Sequence, residues 1–320
     1  MRFGIIGTNF ISDSFVAALP FTKASATAVY SRTEKAGGAF AAKHGIKEVY
    51  TDMDAFLSSD IDAVYIASPN FLHKEQTLLA LAGGKHVLVE KPAAPSLADW
   101  QDMKEAALRA GKTLMEAMRP IHADAWHRVK DALAHIGRVR GAVLDFSQYS
   151  SRYKPFLEGT VLNAFNPALC NAALLDIGIY PISAAVFLFG APKEIRSCSS
   201  FLENGFECCG AAILGYDGFE VTVTYSKVAN SIAPSAILGE EGGILVDKVS
   251  NPRSLFLVKG EEKAPIFLPK TDAPDNMYEE INDFYTAALA GECCPAAVYT
   301  DMTLSVMDEI RRQNGITFHP

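Results

Sequence analysis

The sequence predicts an α/β protein: a doubly wound parallel sheet, followed by an α+β domain with an open, mostly antiparallel sheet. Short apolar runs alternate with amphipathic stretches over the first 120 residues, which is typical of parallel strands covered by helices on both faces. Beyond residue 120 the apolar residues recur with period two, as in antiparallel strands. Because 320 residues exceed the usual size of one hydrophobic core, we place two domains at 1–120 and 121–320.

The elements follow from these patterns. The predicted parallel strands are RFGIIG, TAVYS, AVYIAS, HVLVE and TLMEA, with helices up to about residue 19 and near 34–43, 72–82 and 97–110. The second domain begins with a helix near 123–134, continues with strands in 137–153, 193–202, 208–216 and 219–228, and contains a hairpin at GYDGFE. Helices near 277–290 and 302–313 close the chain, and the terminal helix could pack on either domain.

Composition excludes several classes. Hydrophobic residues at 49% and charged residues at 21% indicate a globular chain rather than a disordered one. The 29 Lys and Arg against 37 Asp and Glu, a net charge of −8, have the wrong sign for nucleic acid. No apolar run approaches the roughly 20 residues that span a bilayer, so no membrane is expected. Six Cys without metal-ligand spacing indicate free thiols in a reducing cytoplasm and no metal site.

The first motif is GIIGTNFIS, in which Gly7 ends a strand just before a helix. Such a turn lets backbone N–H groups and the helix dipole face a pyrophosphate. The usual fingerprint has glycine at the position of Asn9 and a small residue at Ser12. Because Asn tolerates left-handed dihedrals, the turn can survive; a plain strand-to-helix turn is the alternative.

The second strand ends at Tyr30-Ser31-Arg32-Thr33. An NAD site commonly carries an acid here for the ribose 2′-hydroxyl, whereas Arg suits a 2′-phosphate. The motif therefore favours NADP over NAD. A solvated surface Arg explains Arg32 equally well.

Two further motifs end parallel strands at the edge where doubly wound sheets bind ligands. In ASPNFLH, residues 67–73, Asn70 can cap the helix that carries His73. In HVLVEKP, residues 86–92, Lys91 could bind substrate hydroxyls and influence a neighbouring acid. Taken singly, an ordinary surface histidine and a solvated lysine are the alternatives.

The fifth motif is NAALLDIGIYPISAAVFLFG, residues 171–190, in which Asp176 and Tyr180 share one helix face. Pro181 removes an amide that would bond back to the preceding turn and Gly178 weakens the helix, so we expect a loosened turn. A core tyrosine with a capping aspartate is the alternative.

In this order and spacing, GIIGTNFIS, SPNFLH, VEKP and ALLDIGIYP resemble the Gfo/Idh/MocA oxidoreductase family from the first strand to the last helix. The tyrosine in ALLDIGIYP is similar to the dimeric dihydrodiol and xylose dehydrogenase branch, which commonly uses NADP. The resemblance implies a Rossmann domain, and an open sheet that builds a homodimer or homotetramer. It also implies hydride transfer between nicotinamide and a carbinol carbon of a sugar, polyol or vicinal diol.

The resemblance assigns roles to residues. Lys91 matches the EKP lysine, Asp176 an orienting carboxylate and Tyr180 the acid/base. The implied cofactor site comprises the phosphate turn, the adenosine-phosphate pocket, the nicotinamide-ribose loop and the EKP strand end: Gly7, Thr8, Asn9, Phe10 and Ile11; Ser31 and Arg32; Ser68, Pro69, Asn70 and His73; Glu90 and Lys91.

Candidate substrate contacts are Arg119, Asn163 and Phe165, which flank the matched segments. A structural ion pair is the alternative for Arg119, and a core position for Phe165. Asn9 replaces the family glycine, which affects the pyrophosphate turn. Asn171 stands where relatives often have glycine, which could alter the floor of the substrate pocket.

A regulatory protein that binds dinucleotide without turnover is the alternative function, because a fold does not determine an activity. The presence of Lys91, Asp176 and Tyr180 argues against it, since a sensor needs no proton-transfer group. A glycosidase that retains NAD is a third interpretation, which retained cofactor would support.

Overall fold

The computed structural model describes residues 1–267 and 277–318. Two compact units form the chain. Unit 1 contains residues 1–119 and, from the C-terminal part, the described residues 277–297; unit 2 contains the described residues 120–267 and 298–318.

Unit 1 is built on a six-stranded parallel sheet of order β3-β2-β1-β4-β5-β6. The strands are β1 Arg2–Ile6, β2 Ser25–Tyr30, β3 Glu48–Tyr50, β4 Ala63–Ile66, β5 His86–Glu90 and β6 Leu114–Ala117. The helices are α1 Phe10–Ala18, α2 Glu34–His44, α3 Met53–Leu57, α4 His73–Ala82 and α5 Leu97–Ala110. The short helix α6, Arg119–His122, begins at the last residue of unit 1, and its other three residues belong to unit 2. This strand order is that of a dinucleotide-binding Rossmann domain, and the predicted fold class is confirmed.

Local signals explain the helix bounds in unit 1. Ser96 accepts a hydrogen bond from the amide of Asp99 at the start of α5, and Gly111 ends that helix in the left-handed conformation. Thr33 and Gly45 do the same for α2. Each cap satisfies backbone groups that a helix end leaves unpaired.

The helix α10, Met277–Ala290, belongs to unit 1. The domain boundary predicted at residue 120 places α10 in the second domain, and the structure differs from that prediction. Its apolar face, with Met277, Ile281 and Phe284, lies in the same core as Phe3, and the rings of Phe3 and Phe284 are 5.7 Å apart. The burial of this face therefore places the helix with the Rossmann sheet.

Unit 2 contains an eight-stranded mixed sheet of order β14-β13-β12-β11-β7-β10-β9-β8. All neighbours pair antiparallel except β7 and β10, so the expected mostly antiparallel sheet is confirmed. The strands are β7 Val139–Ser147, β8 Glu194–Phe201, β9 Glu207–Tyr216, β10 Phe219–Ser226, β11 Ser235–Gly239, β12 Gly242–Val246, β13 Leu255–Lys259 and β14 Glu262–Phe267.

The helices of unit 2 are α7 Asp124–Ala132, α8 Tyr153–Leu157, α9 Ile179–Phe189 and α11 Ala297–Asn314. The last begins before the predicted residue 302. A π-helical segment, Leu174–Gly178, runs directly into α9, which confirms the expected loosened turn. Pro181 lies in the first turn of α9, where its missing amide costs little.

No helix in the described residues is both long enough and apolar enough to cross a membrane. Within residues 1–267 and 277–318 there is also no group of three or more His, Cys, Asp or Glu side chains arranged to hold a metal ion.

Candidate active site

The turn after β1 requires glycine at position 7. Gly7 has φ +105°, and a Cβ there would lie 2.5 Å from the carbonyl oxygen of Ala67. The strands β1 and β4 therefore approach each other as closely as they do because residue 7 has no side chain. A dinucleotide pyrophosphate fits this bare turn at the N-terminus of α1, a helix of nine residues.

Asn9 is the N-cap of α1. Its Oδ1 accepts hydrogen bonds from the amides of Ile11 at 3.1 Å and Ser12 at 3.2 Å, and its Nδ2 donates to Ala67 at 2.7 Å. The expectation that Asn is tolerated here for its left-handed dihedrals is wrong, because its backbone is extended, with φ −99° and ψ −179°. Asn9 instead replaces the fingerprint glycine by capping the helix and fastening the turn to β4.

The residues after β2 stay at the surface. Arg32 is exposed and Ser31 is half-buried, with the Ser31 amide bonded to the carbonyl of Tyr50 at 3.0 Å. Thr33 caps α2. The Arg32 guanidinium is thus accessible at the carboxyl end of β2, where the adenosine ribose lies in Rossmann domains.

His73 is buried, with 1% of its surface exposed, so the alternative of an ordinary surface histidine is wrong. Its Nδ1 lies 2.8 Å from the carbonyl oxygen of Pro92, and its Nε2 lies 2.9 Å from that of Ser68. Burial lowers the pKa of His73, and the positive charge of Lys91 acts in the same direction, while the two carbonyl contacts oppose them. The ring therefore joins the loop after β4 to the loop after β5.

The expected cap by Asn70 is wrong. Asn70 begins a short 3₁₀ turn, Asn70–Leu72, and the N-cap position of α4 is Leu72, without a side-chain cap bond. Pro69 precedes that turn, and Ser68 donates its hydroxyl to Gln76 at 2.7 Å. The first turn of α4 is thus set by the 3₁₀ turn and by His73.

Buried side chains hold the backbone on both sides of Lys91. The Lys91 amide donates to Glu90 Oε2 at 3.3 Å, and the Ala93 amide donates to Glu116 Oε1 at 2.9 Å. The contact of His73 with Pro92 lies between them. Sequence reasoning missed Glu116; a carboxylate in the apolar run TLMEA was the signal. Lys91 therefore extends from a backbone held at three successive residues, as a precisely oriented functional group requires.

Glu90 is buried and accepts a hydrogen bond from the hydroxyl of Tyr65 at 2.5 Å. Burial raises the pKa of Glu90, and the positive charges of Lys91 and Arg119 partly offset this increase. Burial together with the charge of Glu90 raises the pKa of Tyr65. The half-buried Arg119 thus acts electrostatically on Glu90, which supports the structural alternative for Arg119.

In unit 2, Asp176 lies in the π-helical segment and Tyr180 in the first turn of α9. Tyr180 is largely buried, and the ring of Phe146 meets it edge-on with centroids 5.4 Å apart. A Cβ at Gly178 would lie 3.0 Å from the ring of Tyr225. The π-helical segment therefore packs directly on β10, and this contact sets the orientation of the Asp176–Tyr180 turn.

Asp176 forms an ion pair that sequence reasoning missed. The ammonium of Lys227 lies 2.7 Å from Asp176 Oδ2; the lysine side chain is 5% exposed and the aspartate side chain 43% exposed. A lysine directly after the alternating strand FEVTVTYS was the only sequence signal.

The candidate substrate residues of unit 2 separate into two environments. Asn163 is exposed, whereas Phe165 is fully buried in a cluster with Phe156 and Phe206. The expectation that Phe165 contacts substrate is corrected, because a ring without exposed surface belongs to the core. Asn171 donates its amide to the carbonyl of Asn163 at 2.7 Å, so this departure from glycine shapes the Asn163 turn.

This fold, with a dinucleotide turn in unit 1 and an aspartate and tyrosine on one helical segment of unit 2, defines the class of two-domain, dinucleotide-binding oxidoreductases. Residues 1–118 match the family described as "Oxidoreductase family, NAD-binding Rossmann fold", and residues 126–245 match "GFO/IDH/MocA C-terminal domain". The chain belongs to the Gfo/Idh/MocA oxidoreductase family, as the resemblance predicts.

Relatives match along their full length. A scyllo-inositol 2-dehydrogenase (NADP(+)) of Bacillus subtilis is 41% identical, covering 99% of this chain and 98% of that protein. A trans-1,2-dihydrobenzene-1,2-diol dehydrogenase of Danio rerio is 30% identical with the same coverage. The structure is also similar to that of a 3-ketoreductase from Actinomadura kijaniata in complex with NADP and TDP-benzene, with TM-score 0.84, 26% identity and 98% of each chain covered.

Proposed function

We propose that this protein is an NADP-dependent dehydrogenase that oxidises a carbinol carbon of a polyol, sugar or vicinal diol to a carbonyl, and catalyses the reverse reduction. One observation carries the proposal: a scyllo-inositol 2-dehydrogenase (NADP(+)) matches 99% of the chain at 41% identity. The accessible Arg32 supports the preference for NADP. Among the candidate substrates, a cyclic polyol is the first choice.

NADP supplies the hydride acceptor, and the protein handles the proton. We assign Tyr180 as the group that accepts the hydroxyl proton of the substrate, and Lys91 as a cation that binds a substrate hydroxyl. Asp176 orients the substrate hydroxyl. The ion pair of Asp176 with Lys227 supports this role, because a carboxylate fixed at one oxygen is a directional hydrogen-bond acceptor.

Replacing Tyr180 tests the assignment. In Tyr180→Phe we expect turnover to fall by about 10²- to 10⁴-fold, with NADPH affinity nearly unchanged, because only the proton acceptor is lost. NADPH formation with scyllo-inositol, other inositols, aldoses and vicinal diols measures turnover, and fluorescence titration measures affinity. Tyr149→Phe is the matched control, since Tyr149 is exposed in the same unit.

The outcomes separate the alternatives. Unchanged turnover in Tyr180→Phe refutes the assignment and shifts the proton to Lys91. Tight NADPH binding by the wild-type protein without turnover of any of these substrates favours the regulatory alternative, and cofactor that stays bound through purification favours the NAD-retaining glycosidase.

We also propose a homo-oligomer, formed by the outer face of the unit 2 sheet. Val143, Ile213 and Leu238 are 45%, 48% and 52% exposed, and Thr222 of β10 pairs with Val143 on one side and Ile213 on the other. This apolar row, made by Val143, Ile213 and Leu238 on three strands with Thr222 between the first two, is suited to packing against a second copy of itself.

A cytoplasmic location is the remaining part of the proposal. None of the six cysteines, all of which lie in the described residues, forms a disulfide, and the adjacent pairs Cys208–Cys209 and Cys293–Cys294 have their sulfurs 4.0 Å and 3.7 Å apart. Free thiols are typical of a reducing compartment.

A further inference from the structure

The backbone of the 3₁₀ turn Asn163–Phe165 is held by side chains from three other segments. The carbonyl of Asn163 accepts a hydrogen bond from Asn171 at 2.7 Å, that of Ala164 from Lys227 at 3.0 Å, and that of Phe165 from Asn204 at 2.9 Å. Three successive carbonyls of this turn are thus bonded to side chains 8, 63 and 39 residues further along the chain. The backbone from which Asn163 extends is therefore fixed at three successive residues.

Lys227 belongs both to this turn and to Asp176. The residue is only 4% exposed, and its ammonium lies 2.7 Å from Asp176 Oδ2 and 3.0 Å from the carbonyl of Ala164. The ammonium also lies 5.0 Å and 5.4 Å from the ring centroids of Phe165 and Phe206. A buried ammonium is costly unless it is paired, and here a carboxylate, a carbonyl and two aromatic faces compensate it.

From this geometry we infer that Lys227 is a positioning residue that couples the Asn163–Phe165 turn to the Asp176 carboxylate, and thereby sets both polyol binding and turnover. The inference rests on the proposed function. Asp176 remains 43% exposed at its side chain while Oδ2 is bonded to Lys227, so the carboxylate is both fixed and accessible to a substrate hydroxyl. Because one ammonium holds both groups, a shift of the turn is transmitted to Asp176.

The test compares Lys227→Met with the wild-type protein. Methionine keeps the apolar stem and removes the charge, so we expect kcat to fall about 10- to 100-fold, KM for the polyol to rise, and NADPH affinity to stay within about twofold. The acidic limb of the kcat/KM profile should move to higher pH, because the carboxylate of Asp176 loses its cation. A purely structural role would lower stability without moving that limb.

Matched variants complete the test. Lys193→Met breaks an exposed lysine–aspartate pair, Lys193–Asp217 at 2.6 Å, and should leave the profile unchanged. Asp176→Asn combined with Lys227→Met should cost no more turnover than Asp176→Asn alone, because the two side chains act as a unit. Asn171→Ala, which releases the Asn163 carbonyl and leaves Lys227 in place, should raise KM without shifting the acidic limb.

The outcomes for Lys227→Met and for the wild-type protein test the inference and the proposed function separately. Wild-type turnover with an unshifted acidic limb and unchanged KM in Lys227→Met overturns the inference, whereas absent wild-type turnover overturns the proposed function. If Lys227→Met does not fold, Lys227→Arg replaces it: the retained charge should keep the acidic limb in place while KM rises, and a limb displaced to higher pH would contradict the inference.

Discussion

The Nδ1 atom of His73 lies 2.8 Å from the carbonyl oxygen of Pro92, the residue that follows Lys91. On the other side of the ring, Nε2 lies 2.9 Å from the carbonyl of Ser68. One buried imidazole thus joins the loop after β4 to the loop after β5. In the proposed enzyme these loops carry the nicotinamide-ribose contacts and the lysine, so their spacing depends on this ring.

Removal of the ring should misplace Lys91. In His73→Ala we expect kcat to fall about 10- to 100-fold, since a displacement of about 1 Å of a catalytic group costs on that order. His73→Gln keeps amide donors and should recover part of the loss. Steady-state kinetics measure both variants, with His135→Ala, at an exposed histidine, as the control. Full activity in His73→Ala would contradict the positioning role.

His73 should also make stability depend on pH. Its pKa in the folded protein is lowered, first by burial, so the unfolded chain binds a proton at a higher pH than the folded one. The contribution is complete above about pH 6.5, the ordinary histidine value, and is lost as the pH falls. In urea unfolding at pH 7 and pH 5, His73→Gln should lose less stability than the wild-type protein. An equal loss in both proteins would exclude His73 as the cause.

Position 7 should tolerate no side chain. In Gly7→Ala a methyl group would meet the Ala67 carbonyl at 2.5 Å, so we expect a loss of stability and at least about tenfold weaker NADPH binding. Gly45→Ala is the matched control, because Gly45 has φ +68° with nothing within 4 Å. It should cost only about 1–2 kcal/mol of backbone strain and leave NADPH binding intact. Equal behaviour of the two variants would show that the close approach to β4 is unimportant.

Arg32 should distinguish the two cofactors. If its guanidinium binds the 2′-phosphate, Arg32→Ala weakens NADPH binding about 10- to 100-fold, the value of a charge-assisted contact, and NADH binding by no more than about twofold. Lys35→Ala, at an exposed position in the first turn of α2, serves as the control. Fluorescence titration provides the affinities, and an equal effect on both cofactors would refute the phosphate role.

The outer sheet face should carry the subunit contact. A lysine at Val143 or Ile213 places a charge in the apolar row, so we expect light scattering to show a single-chain mass for Val143→Lys and Ile213→Lys. Leu289→Lys adds the same charge at a residue of α10 that is 70% exposed and should leave the oligomer unchanged. If all three variants keep the wild-type mass, the contact lies elsewhere.

Elements with local signals were predicted closely. The predicted helix over 97–110 coincides with α5, because Ser96 directly before it and Gly111 directly after it are residues typical of helix ends. The GYDGFE hairpin joins β9 and β10 because Asp-Gly between alternating runs specifies a tight turn. The short strand β3 and the strands β11–β14 were missed. Several of these strands are exposed or only half-buried along much of their length, so their apolar periodicity is weak.

In the candidate site too, residues with a local sequence signal were predicted, whereas partners brought in by folding were missed. Short motifs at strand ends predicted Gly7, His73 and Lys91 as site residues, because a doubly wound sheet brings strand ends to one edge. Helix spacing predicted the Asp176–Tyr180 pair, because a helix brings residues four apart to one face. Periodicity along the chain therefore predicted the Rossmann fold and the second sheet, and the four motifs in their order carried the resemblance to the family.

Packing decided the rest. Three sets of contacts join residues far apart in sequence: α10 packs in the core of unit 1, Glu116 binds the Lys91 loop, and Lys227 pairs with Asp176. An ammonium or a carboxylate becomes buried only when the partners that compensate its charge are brought to it by the folded chain. Local sequence patterns cannot predict contacts between residues far apart in the chain, so only the tertiary structure shows these contacts.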